Sequence, residues 1–131
     1  MSQARLTDSA SAFRAGDCAT TVDKANASIS ALSNRPEPYE LLAYCNERAQ
    51  RPRVALTAMS EAVERDPHNW RYRYGLAIAR GRAGRDPRGA ARQALRLNPR
   101  ELLARKAVSR LRGSHPAGWR RAATRLPIPI D

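Results

Sequence analysis

Glu64-Arg65-Asp66-Pro67-His68-Asn69 and Arg96-Leu97-Asn98-Pro99-Arg100 decide the fold, because each closes an alanine-rich run of helical periodicity with a proline and a polar turn. Asn34-Arg35-Pro36-Glu37-Pro38 closes a third such run. From Pro36 to Pro67 is 31 residues and from Pro67 to Pro99 is 32. A period of this size marks a stacked repeat in which each unit is one supersecondary element. Three units fit the 131 residues.

Outward from those prolines, each unit reads as a helix pair. In the middle unit Tyr39, Leu42 and Cys45 with Ala43 recur at helical intervals, and so do Ala55, Met59, Ala62 and Val63. Arg51-Pro52 separates the two runs, since proline suits a first turn and cannot continue a helix. The third unit runs from Trp70 to Ala83 and stops at Gly84; Asp86 then caps a helix carrying Pro87 in its first turn and Ala90, Ala91, Ala94, Leu95 and Leu97 inward. Trp70-Arg71-Tyr72-Arg73-Tyr74 alternates like a strand, but Leu76, Ala77, Ile78 and Ala79 continue it as helix. In the first unit Ser9 to Ala15 is a short helix closed by Gly16, and Asp17 caps a second that carries Val22, Ala25, Ile29 and Leu32. After Pro99, Glu101 to Leu111 is one more amphipathic helix, with Leu102, Leu103, Ala107, Val108 and Leu111 on its stripe.

The expected architecture is an all-α superhelix over residues 1–113, with units at about 8–35, 36–68 and 69–99 and a capping helix at 100–112. Residues 114–131 form a basic tail whose Leu126-Pro127-Ile128-Pro129-Ile130 forbids helix and predicts an extended segment, docked through Trp119 and the isoleucines. Composition agrees: 24 alanines stand against eight valines plus isoleucines and seven aromatics, which favours helix over pleated sheet. No apolar run approaches the roughly 18 residues of a membrane span. Met1 to Ala15 is polar and lacks an export signal. A complete chain is then expected in the cytoplasm, and a piece of a membrane protein outside it.

The middle unit resembles a tetratricopeptide repeat. Leu42, Ala43, Ala55, Met59, Ala62 and Pro67 stand at that family's offsets for close helix crossing and the closing proline, whereas Asn46 departs where the family has an aromatic. In the third unit Leu76, Ala77, Gly84, Ala94 and Pro99 match, with the second helix two residues early; the first unit matches loosely. The resemblance implies a non-catalytic scaffold whose concave groove binds a peptide or a partner helix. Antiparallel stacking of helices would bring Cys18 and Cys45 together, either as a disulfide worth roughly 3–4 kcal/mol on the chain-entropy estimate or as two buried thiols. By repeat position the groove residues are Glu40, Asn46, Glu47 and Arg48, then Arg73, Tyr74 and Arg80. Arg73 and Arg80 share a helix face and suit an acidic segment, or are simply solvated.

The net charge of +12 lies wholly in the second half: residues 1–69 hold 8 basic and 9 acidic side chains, and residues 70–131 hold 16 and 3. Arg82, Arg85, Arg88, Arg92 and Arg96 make a basic ridge that suits an anionic membrane surface. Nucleic acid is disfavoured, because no aromatic residues interleave with the ridge for base stacking. Arginine makes up 22 of the 24 basic residues, a bias that genome composition alone can impose. No cofactor loop, metal-ligand spacing around His68 or His115, or nucleophile motif appears, and Glu61 and Glu64 read as a solvated helix flank, so no enzyme activity is expected.

A fainter resemblance covers the whole chain, to the soluble C-terminal repeat region of bacterial O-antigen ligase-like membrane proteins. It rests on Arg14-Ala15-Gly16-Asp17-Cys18, Pro36-Glu37-Pro38-Tyr39-Glu40, Tyr44-Cys45 and Asp66-Pro67-His68-Asn69-Trp70-Arg71-Tyr72. It implies an extracytoplasmic domain with oxidised cysteines and the chemistry elsewhere in a longer polypeptide.

Overall fold

Local signals along the chain set the helix starts of the computed structural model, which describes residues 10–31 and 34–130. The elements are α1 (residues 10–14), α2 (Cys18–Ala31), α3 (Glu37–Arg48), α4 (Pro52–Arg65), α5 (Trp70–Arg82), α6 (Arg88–Leu97), α7 (Leu102–Arg110) and α8 (Pro116–Arg125). Ser9 and Leu32 of the expected first pair lie outside the described residues. Asp17 caps α2 by accepting the Thr20 backbone N–H at 3.0 Å, and Asn69 caps α5 by accepting that of Arg71 at 3.0 Å. With α5 beginning at Trp70, the alternating Trp70–Tyr74 stretch is helical.

Three turns share one construction. Gly16, Gln50 and Gly84 have φ of 83°, 59° and 73°, the left-handed region that ends a helix. Each donates its N–H three residues back, and the following residue donates five back: Gly16 to Phe13 and Asp17 to Ala12, Gln50 to Glu47 and Arg51 to Asn46, Gly84 to Gly81 and Arg85 to Arg80. These turn residues are spaced 34 and 34, a tighter periodicity than the prolines display. A second ladder has the same period. Arg48 Nη1 donates to the Phe13 carbonyl at 3.2 Å and Arg82 Nη1 to the Glu47 carbonyl at 3.4 Å, so each stitches a first helix to the one before it.

The helix pairs stack with first helices α3, α5 and α7 touching in succession and α4 and α6 behind them. Two buried clusters result. One gathers Phe13, Leu41, Tyr44, Cys45, Met59 and Tyr72. The other is built largely of alanine, including Ala77, Ala90, Ala94, Ala104 and Ala107, around Tyr74, Ile78 and Leu111, and such small residues let helix axes approach closely. The cysteines are joined as a disulfide, Cα–Cα 5.5 Å, binding the start of α2 to α3.

Three core expectations shift, the first at the end of α6, where Leu97 is exposed while Ala90, Ala91 and Ala94 make the inward stripe. On α3 the inward stripe runs through Pro38, Leu41, Tyr44 and Cys45, leaving Leu42 only half-buried. On α7 Leu102 is 61% exposed, because the stripe Ala104, Ala107, Leu111 turns it outward.

The larger difference is the tail. Residues Pro116–Arg125 form a helix. Pro116 sits in the first turn, where no N–H is needed, and the alanines that follow favour the conformation. Its inward pair, Trp119 and Ala123, is separated by exposed arginines that hide the stripe in so short a sequence. From Leu126 (φ −74°, ψ 137°) the chain is extended as the prolines demand. The tail is thus continuous with the repeats in packing: α8 lies on α5, Leu126 joins the second cluster, and Ile128 and Ile130 pack against the first.

Candidate functional site

The inner face of the stack, formed by first helices α3 and α5, is where repeat position places a groove. On α5 this face presents Arg71, Tyr74, Ile78, Gly81 and Arg82. Most of it is covered by the protein's own C-terminal segment. Gly81 has room for no side chain: a Cβ there would meet the Ala123 Cβ at 2.9 Å and the Trp119 carbonyl oxygen at 3.2 Å. Toward the other end of α5 the Tyr74 hydroxyl donates to the Pro127 carbonyl. Trp119 and Ala123 therefore sit over the C-terminal end of α5 and Pro127 nearer its start, so the segment runs antiparallel to α5. Its beginning is pinned by Trp119 Nε1, which donates to the Gly113 carbonyl at 2.7 Å, and by the Arg88 guanidinium, 5.6 Å from the centre of the Trp119 ring.

The α3 half of the face is charged and buried. Glu40 is 1% exposed, and its carboxylate accepts two hydrogen bonds from Arg71, Nε and Nη2, each at 2.7 Å. Burial pushes the Glu40 carboxyl up while those bonds pull it down, and they hold Arg71 firmly protonated. Glu47 has no such help. It is 2% exposed, and neither carboxyl oxygen has a hydrogen-bond partner among the described residues. Burial raises it from 4.5 to about 7, with Arg82 pulling the other way. The Tyr44 hydroxyl and Arg82 Nε are likewise buried without partners. Glu47 and Arg82 share a pocket of about 160 Å³ with Gln50, Pro52, Arg120 and Thr124, the last two from α8.

The expected groove residues therefore divide. Glu40, Glu47 and Tyr74 lie on the inner face, but buried and, for Tyr74, already bonded to the tail. Asn46 is turned back on its own helix, donating to the Leu42 carbonyl at 2.8 Å. Arg48 lies 3.8 Å over the Phe13 ring. Arg73 and Arg80 share a face, but it looks toward α6: Arg73 donates to Gln93 Oε1 at 3.0 Å and to the Pro67 carbonyl at 3.1 Å, and Arg80 donates to the Asp86 carbonyl at 2.7 Å. The ridge also breaks, since helical spacing does not carry across the turn at Gly84. Arg82 goes to the inner face and Arg88 pairs with Asp86 at 2.8 Å, while Arg85, Arg92 and Arg96 stand exposed.

The residues that sequence reasoning missed are Gly81 and Arg71. Gly81 is one 34-residue step from the expected groove residue Glu47, so a register fixed on the turn residues leads to it; Arg71 is one step from Glu37, which no sequence signal placed in the groove. Among the described residues there is no group of three or more His, Cys, Asp or Glu placed to hold a metal, and no helix is long and apolar enough to cross a membrane.

No family model matches this chain, and no curated protein does; the O-antigen ligase-like resemblance thus gains no support. Solved structures do match. The Arabidopsis OM64 tetratricopeptide-repeat domain superposes with a TM-score of 0.77 at 19% identity, over 85% of this chain and 93% of that one. A mutant of the Thermobaculum terrenum O-GlcNAc transferase gives a TM-score of 0.77 at 22% identity over 82% of this chain, which spans only 21% of the transferase. MamA from MSR-1 gives 0.69 at 20% identity, over 96% of this chain and 76% of that one. The fold is that of a tetratricopeptide-repeat superhelix.

Proposed function

We propose that this fold serves as a non-catalytic protein-interaction scaffold whose inner face, on α3 and α5, holds a segment of a partner protein. The observation that supports the reading is the segment already there: a short helix followed by an extended proline-containing strand, seated by the contacts of Gly81 and Tyr74. Stacked helix pairs offer such a face to peptides and helices. The Cys18–Cys45 bond supports a working environment outside a reducing cytosol.

Peptides selected from a random library on the full-length protein provide the test, mapped by amide hydrogen exchange. Bound peptides are expected to protect α3 and α5. Protection confined to α4 and α6 would refute the inner-face reading.

A second reading rests on the exposed Arg85, Arg92 and Arg96, with the half-buried Arg73 and Arg80 on the α6 side, which suit an acidic protein segment or an anionic lipid surface. Binding of that kind weakens steeply as salt rises, whereas binding through the inner face does so much less.

A further inference from the structure

From the contacts of residues 116–130 we infer that this segment is an exchangeable occupant of a partner site, and that the partner supplies a basic helix–proline segment of the same pattern. The inference rests on the inner-face reading above and adds the chemistry of what binds there. Three observations carry it. First, the segment meets the repeats through an aromatic, a small and three aliphatic residues, Trp119, Ala123, Leu126, Ile128 and Ile130, and through a main-chain carbonyl at Pro127. Those are contacts that any chain of that pattern can reproduce. Second, it is tethered by residues 112–115, which are exposed and belong to neither buried cluster. Third, the fit is incomplete: Arg120 and Thr124 line a pocket with Glu47 and Arg82, and the Glu47 carboxyl oxygens and Arg82 Nε are buried without hydrogen-bond partners among the described residues. Buried polar groups left in that state favour an occupant that satisfies them.

The exchange sets the chemistry of the partner. Its helix carries a large aromatic, then a small residue four positions on, then an aliphatic residue three further and a proline next. It is basic where Arg120 stands, because Arg120 lines the pocket shared by Glu47, the buried carboxylate without a hydrogen-bond partner among the described residues. Where Thr124 stands, it has a longer hydrogen-bond donor that reaches Glu47. The seat admits no bulk beside Gly81, which makes the small residue the discriminating position.

The test uses the full chain and a labelled synthetic peptide of residues 114–130. Ala123→Glu dislodges the tethered segment but leaves the seat intact, and this variant is expected to bind the peptide. The unaltered protein should bind it roughly 100-fold more weakly, because a short tether presents its own segment at an effective concentration on the order of millimolar. Gly81→Ala added to Ala123→Glu fills the seat with a methyl group and should abolish binding, while circular dichroism shows that both variants keep their helices. A peptide with Thr124→Lys should bind the Ala123→Glu variant several-fold more tightly. Trp119 emission in a Trp70→Phe background reports release of the segment independently of any peptide. A folded Ala123→Glu variant that ignores the peptide overturns the inference, and so does global unfolding of Ala123→Glu and Trp119→Ala alike. Library-selected peptides that still protect α3 and α5 would then leave the scaffold reading standing; their absence as well would remove both.

Discussion

The α3–α4 pair and the α7–α8 pair each begin on a first helix of the stack, yet only in the α3–α4 pair does the second helix fold back against the first. Helix α3 has 12 residues and ends in a left-handed turn at Gln50 that folds α4 back against it. Helix α7 has nine, and Gly113 does not adopt a positive φ, so the chain leaves the superhelical path and α8 settles on α5. A helix pair is therefore held in register by its turn as much as by its apolar stripe. Where that turn is missing, the second helix takes the nearest apolar surface, which here is the inner face.

The strongest way to break this contrast is to remove the covalent link that ties α3 to α2. Replacing both Cys18 and Cys45 with serine is expected to lower stability by roughly 3–4 kcal/mol, read as a fall in the urea midpoint. Next in size is the titration of Glu47, the α3 residue that shares a pocket with Arg120 and Thr124 of α8. Its carboxyl is raised from 4.5 to about 7 in the folded protein, so between those values the unfolded chain has lost a proton that the native state still holds. Stability should fall as pH rises from about 4.5 to 7, by roughly 3 kcal/mol, and level off above. Glu47→Gln should flatten that slope and leave the variant more stable than the parent at pH 8.

Smaller effects sharpen the comparison. Tyr74→Phe deletes the hydrogen bond to the Pro127 carbonyl and should cost about 1 kcal/mol, with faster amide exchange in residues 116–130 and little change in α3. Gln50→Gly relieves a side chain held at φ 59° and should add about 0.5–1 kcal/mol to the urea-derived stability. The same exchange has no counterpart at Gly113, where no left-handed turn forms.

Much of the fold was legible because its signals are local. Asp17, Pro52 and Gly84 each mark a helix boundary through chemistry that acts within a turn. The period was less clear, since the 34-residue repeat is written in backbone conformation at positions 16, 50 and 84 and Gln50 disguises its middle member. The inner face was legible only in part. Glu40, Glu47 and Tyr74 were placed on it by repeat position, but their burial is a tertiary fact set by α8 and by Arg71. Arg73 and Arg80 bond to Gln93 and to the Asp86 carbonyl, on the α6 side, because a seven-residue spacing fixes a common face without saying which neighbour it meets. The helix at 116–125 was missed for want of length: ten residues with a single Trp-Ala stripe carry too little periodicity to outweigh the prolines that follow.

The position of α8 is the claim on which the rest depends, and nuclear Overhauser contacts from the Ala123 methyl group test it directly in solution. The account predicts contacts to the α-protons of Gly81. Contacts to α7 instead, as an uninterrupted stack would give, would contradict it.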